Sequence, residues 1–107
     1  MSQKDEKLKE VIRMLAAEFF SRESNRTSLI TITSVELKSR NSKAVILFTV
    51  MPIDQEVAAL DFMRRQLRDL REYVGEHARM MRVPFFEVAI DKGEKNRQHI
   101  DELSRNV

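Results

Sequence analysis

Leu29-Ile30-Thr31-Ile32-Thr33-Ser34-Val35-Glu36-Leu37 and Ala44-Val45-Ile46-Leu47-Phe48-Thr49-Val50-Met51 are two runs rich in β-branched side chains, separated by Lys38-Ser39-Arg40-Asn41-Ser42-Lys43. Branching at Cβ packs well on a pleated surface, so both runs are expected to be strands. The link is polar and carries Ser and Asn, residues that turn a chain through local hydrogen bonds. Strands joined this closely pair antiparallel as a hairpin. Pro52 ends the second strand because it has no N–H for the ladder.

Upstream of the hairpin, Leu8, Val11, Ile12, Leu15, Ala16 and Phe19 recur with helical spacing and form one apolar face. Lys9, Glu10, Arg13 and Glu18 occupy the opposite face. Residues 1–6 read as a polar lead and Ser21 to Arg26 as a loop. Downstream, Asp54 is the expected N-cap of a helical stretch from Gln55 to Met81. Unbroken, it would span roughly 40 Å, so a joint is expected between Gln66 and Asp69. Leu67, Leu70, Val74, Ala78 and Met81 share the apolar face of its second half. Gly75 lies within that half at a cost of ~1 kcal/mol against Ala, which points to close packing on the sheet. Val83 to Ile90 is expected to be the third strand, with Pro84 tolerated near its start. Asp91-Lys92-Gly93 reads as a turn, and residues 93–107 as a short helix around Ile100 and Leu103 or a tail. The order α-β-β-α-α-β gives an α+β fold, a three-stranded sheet with helices packed on one face.

The 107 residues suit a single domain, residues 1–107, with 42% hydrophobic and 34% charged side chains. There is no cysteine, which removes disulfides, thiolate metal sites and cysteine nucleophiles together. The longest apolar run, Ala44 to Val50, is strand-length and too short to cross a bilayer. The first residues carry no apolar signal region. A cytoplasmic protein with no membrane partner is therefore expected. Met51, Met63, Met80 and Met81 are expected as adaptable core filler.

No nucleotide-binding, metalloprotease or nucleophile-elbow motif is present. His77 has no metal ligand one helical turn away, and His99 sits in a polar tail. A non-catalytic protein without a cofactor is expected. Charge distribution is more telling. Between Phe62 and Arg82, six arginines (Arg64, Arg65, Arg68, Arg71, Arg79, Arg82) stand against three acids, although the whole chain carries only +2. Arg64, Arg68 and Arg71 share a helical face. Arginine forks onto phosphate and stacks on bases. The competing reading is a solvated face paired internally with Asp61, Asp69, Glu72 and Glu76. Lys38, Arg40 and Lys43 add three cations at the hairpin without an acid. Candidate exposed aromatics are few (Tyr73, Phe20, Phe62 and Phe85), so readout by base stacking has little support. A second reading is a protein-interaction or homodimerising α+β module, using Phe20, Phe62 and Phe85 as an apolar patch.

The element order resembles that of a type II KH domain. More closely, the chain resembles the bacterial ribosome-binding factor A family over roughly Leu8 to Leu103. The residues carrying the likeness are the two strands quoted above, Leu70-Arg71, Gly75, Val83-Pro84, Asp91 and Ile100-Asp101-Glu102-Leu103. The resemblance implies a factor that binds the small (30S) ribosomal subunit and its 16S rRNA during late maturation; separately, a monomer is expected. In this chain the RNA-binding set would be Arg64, Arg65, Arg68, Arg71, Arg79, Arg82, Lys38, Arg40 and Lys43. A KH domain places G-x-x-G between its central helices, and this family an A-x-G kink. Here the position holds Gln66-Leu67-Arg68, with neither Ala nor Gly. Arginine density is expected to stand in for close backbone approach, in a divergent member of the family.

Overall fold

The computed structural model describes residues 3–23, 28–80 and 82–105, with side chains over 4–22, 28–80 and 82–98. Strand β1 (Leu29–Lys38) pairs antiparallel with β2 (Lys43–Met51), from Leu29 opposite Met51 to Lys38 opposite Lys43, with a one-residue register shift between Ile32 and Ser34. Strand β3 (Phe85–Ile90) lies on the other side of β2 and runs parallel to it. The sheet order is thus β1-β2-β3. A parallel neighbour requires a crossover, and helices α2 (Glu56–Arg65) and α3 (Leu67–Ala78) supply it. Helix α1 (Gln3–Glu23) precedes the hairpin, and α4 (Lys92–Arg105) follows β3.

The core lies on one face of the sheet. Ala44, Ile46, Phe48 and Val50 alternate along β2 and point into it, flanked by Ile32 and Val35 of β1 and by Phe86 and Val88 of β3. Ile12, Ala16, Phe19 and Phe20 of α1, Ala59 and Met63 of α2, and Leu70 and Val74 of α3 close over them. Each large side chain removed from water here stabilises the fold by roughly 1.5–3 kcal/mol. The α+β arrangement, with its three-stranded sheet and the α-β-β-α-α-β order, is the one the sequence leads us to expect. The outer face is mixed. Val45 and Thr49 are buried there, whereas Thr31 and Glu36 of β1 and Glu87 of β3 are exposed.

Several boundaries differ from the sequence reading. Helix α1 starts at Gln3 within the polar lead and continues through Ser21 to Glu23, so polar residues extend a helix whose middle is anchored by the core. The remaining loop residues Ser24 to Arg26 lie outside the described residues, as does Met81. Val11 is exposed because the buried stripe is centred on Ile12, Ala16 and Phe19. Asp54 does not cap α2. It sits in a 3-10 turn, Ile53–Gln55, and Gln55 occupies the N-cap position without a side-chain bond. The joint falls at Gln66, whose backbone is both the C-cap of α2 and the N-cap of α3. Gly75 meets not the sheet but the segment leading into β3, since a Cβ there would lie 3.4 Å from Val83 Cγ2. The expected turn after β3 is the first turn of α4, because Asp91 Oδ1 accepts from the Glu94 N–H at 3.0 Å. Met63 is fully buried, but Met51 is 48% exposed where β2 runs out of the sheet.

Candidate nucleic-acid interface

The hairpin turn and the start of β3 lie at the same end of the sheet, because β2 and β3 are parallel. The Phe85 N–H donates to the Ser42 carbonyl at 2.9 Å, tying the hairpin loop to β3. Lys43 therefore lies beside Phe85, although some forty residues of chain separate them, and Lys38 and Arg40 belong to the same hairpin. The hairpin loop is unusual. Ser39, Arg40 and Asn41 all have positive φ (52°, 55° and 66°) and none is glycine. Left-handed backbone costs a residue with a side chain roughly 1–2 kcal/mol. Asn41 offsets part of this by donating from Nδ2 to Asp5 Oδ1 at 2.9 Å, which pins the loop to α1. Ser42 Oγ donates to the Ser39 carbonyl at 2.7 Å. Arg40 gains no such bond and points its charge into solvent.

Beside this end, α3 and the residues approaching β3 enclose an open groove of about 720 Å³. Arg68, Arg71, Arg82 and Phe85 line it, together with Leu67 and Glu72. Helix α3 brings Arg68 and Arg71 onto one face because they stand three residues apart. Arg71 is the fixed member. Its Nη2 donates to the Val83 carbonyl at 3.1 Å, and its guanidinium carbon lies 4.2 Å from the centre of the Phe85 ring. Its Nε is shielded from water and has no acceptor.

The predicted site residues therefore divide. Arg68, Arg71 and Arg82 meet in the groove, with Lys38, Arg40 and Lys43 at the neighbouring hairpin. Arg64 and Arg65 end α2, on the other side of the Gln66 joint, and both are exposed. Arg79 ends α3 in left-handed backbone (φ 50°), a position usually given to Gly. Among the described residues, none of Asp61, Asp69, Glu72 and Glu76 forms an ion pair with these arginines. The internally paired face is not what the structure has. On the sheet at this end, Lys43 Nζ pairs with Glu87 Oε1 at 2.8 Å. That hydrogen bond holds the Glu87 carboxyl below its ordinary range, and Lys38 adds to the effect.

The aromatics also sort differently from expectation. Phe20 is buried and Phe62 packs against the core, so neither serves an exposed patch. Phe85 is 65% exposed, alone among the phenylalanines. Tyr73 stacks on His77 at 4.0 Å, and its hydroxyl donates to Glu18 Oε2 at 3.1 Å across the α1–α3 seam. His77 is exposed, and its Nδ1 lies 2.8 Å from the Tyr73 carbonyl. The His99 side chain lies outside the described residues. The sequence reading missed the role of Asp91. Its carboxylate accepts from Thr33 Oγ1 at 2.5 Å as well as from Glu94 N–H. The Thr33 hydroxyl, then the backbone donor, keep its pKa below the usual carboxylate value. An aspartate three residues before a glutamate, directly after a strand, is a helix-start signal that could have revealed it.

The family model of ribosome-binding factor A matches residues 4–104. The chain belongs to the ribosome-binding factor A family. Solved members share its fold at low identity. The crystal structure of ribosome-binding factor A from Thermus thermophilus is 22% identical with a TM-score of 0.68, covering 78% of this chain and 90% of that one. The solution structure of a Thermotoga maritima protein described as a putative ribosome-binding factor A is 20% identical with a TM-score of 0.67, covering 80% and 85%. A Thermus thermophilus ribosome-binding factor A model fitted into a cryo-EM map of its 30S complex is 22% identical with a TM-score of 0.67, covering 84% and 93%. A search of curated proteins gave no match. The type II KH-like arrangement is thus the family's, whereas the Gln66 joint is built without the small residues of the A-x-G kink. No described helix is long and apolar enough to cross a membrane.

Proposed function

We propose that this chain is a non-catalytic maturation factor that binds the small ribosomal subunit, contacting 16S rRNA with the basic end of its sheet. The observation that carries this reading is the convergence of cations from three separate segments, the hairpin, α3 and the approach to β3, with few acids to neutralise them. Such a surface neutralises phosphates and releases counterions, which supplies affinity without reading sequence. Arg68, Arg71 and Arg82 would hold one stretch of backbone in the groove. Lys38, Arg40 and Lys43 would hold a second, and Arg64, Arg65 and Arg79 extend the field around it. The family, and a relative fitted into a 30S complex, favour the small subunit over other RNA. The factor would act by occupancy, holding an rRNA segment during assembly in the cytoplasm, as a monomer and without a cofactor.

The test is co-sedimentation with purified small subunits at two salt concentrations. Binding that falls steeply with salt is expected. Absence of binding at low salt would overturn the proposal. Binding indifferent to salt would shift the reading to a protein-interaction module.

A further inference from the structure

We propose that Phe85, backed by Arg71, is a stacking platform for one unpaired base of the bound RNA at the mouth of the groove. The inference rests on the RNA-binding reading above and adds a contact that charge alone does not supply. A phenylalanine exposed to 65% at the start of a strand is poorly placed for cohesion, since its apolar area stays in water. One face of the ring is covered by the Arg71 guanidinium at 4.2 Å. The ring's remaining surface is open.

The arrangement is prepared in advance. Arg71 is fixed by its bond to the Val83 carbonyl. The Phe85 backbone is held by its N–H bond to the Ser42 carbonyl. A planar cation beneath an aromatic ring leaves the opposite ring face free for a third planar group, and each layer adds dispersion and electrostatic attraction. Every base has such a face, so the contact tolerates sequence. The flanking phosphates would fall to Arg68 and Arg82, which line the same groove. A carboxylate-bearing protein segment would use the cations but has no need of the ring's free face, and that favours a nucleic acid.

The experiment compares wild type with Phe85→Ala, Phe85→Tyr and Arg68→Glu for binding to purified small subunits. A photoreactive benzoylphenylalanine at position 85 reports what lies against it. Phe85→Ala is expected to weaken binding roughly five- to a hundredfold, the usual loss for a base–aromatic stack. Its salt slope should be unchanged, and Phe85→Tyr should retain affinity. Arg68→Glu should lower both affinity and slope. The crosslink should fall on rRNA. Wild-type affinity in Phe85→Ala, with Arg68→Glu impaired, would overturn the platform and leave the RNA reading standing. A crosslink to a ribosomal protein alone would overturn it in favour of a protein contact. No binding by wild type would overturn both. Matching melting curves for the variants exclude misfolding as the cause.

Discussion

Toward the end of the sheet where β1 begins and β2 finishes, charges are matched internally. Asp91 accepts from Thr33 and the Glu94 backbone, and Lys95 pairs with Glu56 at 3.0 Å. At the other end, where the hairpin turns and β3 starts, Arg40, Arg68 and Arg82 have no acid partner among the described residues. Both ends sit on the same core and are built from the same kinds of side chain. What separates them is partnership. A cation held by a carboxylate contributes to cohesion, whereas an unpartnered one keeps its field for an outside anion. Arg40 and Arg79 make the contrast sharper. Both occupy left-handed backbone that glycine would adopt more cheaply. Strain of this kind at exposed positions belongs with function more often than with stability.

The largest expected effect removes the common support of both ends. Phe48 is fully buried on the central strand, and Phe48→Ala should cost about 3–5 kcal/mol. Chemical denaturation measures it. A midpoint equal to wild type would mean that the two ends do not share this core. Next, Arg68→Glu combined with Arg82→Glu should reduce small-subunit affinity by roughly a hundredfold at moderate salt. The melting temperature should not fall, because both side chains lie outside the core. A double variant that melts lower but binds normally would reverse the assignment of this end.

Asp91→Ala tests the matched end. Loss of the cap and of the Thr33 bond should cost about 1–2 kcal/mol and leave subunit affinity intact. Asp91 also predicts a pH dependence. Its carboxyl titrates below the ordinary aspartate value when folded, so its contribution is present above that value and is lost as pH falls through the folded pKa. Thermal melts of wild type and Asp91→Asn should converge on acidification. Curves that stay parallel would show that Asp91 contributes no proton linkage. The smallest effect is Arg40→Gly, and Arg79→Gly beside it. Each should raise stability by up to about 1 kcal/mol while weakening subunit binding. A variant that gained stability at no loss of affinity would remove that arginine from the interface.

The fold was largely legible because its signals are local. The β-branched runs Leu29 to Leu37 and Ala44 to Met51, the helical spacing from Leu8 to Phe19 and the polar link between the strands each depend on neighbours a few residues apart. The joint at Gln66 was bracketed from length alone, since no Gly or Pro marks it. Helix termini were less legible. The ends of α1 are polar residues carried along by a core that sits elsewhere, and Asp54 lies inside a 3-10 turn that no pattern announces. For the site, composition picked out the arginines. It could not say that Arg68, Arg71 and Arg82 share a groove while Arg64 and Arg65 lie across the joint.

By itself, then, the sequence determined the elements and the family resemblance, because hydrophobic period and branching act at short range. The tertiary structure decided which cations are free. That depends on the parallel placement of β3 beside β2, which brings Ser42 and Lys43 against Phe85. It also decided that Phe85 is exposed while its neighbour Phe86 is buried. Adjacent residues on a strand face opposite ways, and only the packing of the helices over one face of the sheet determines which of the two meets water.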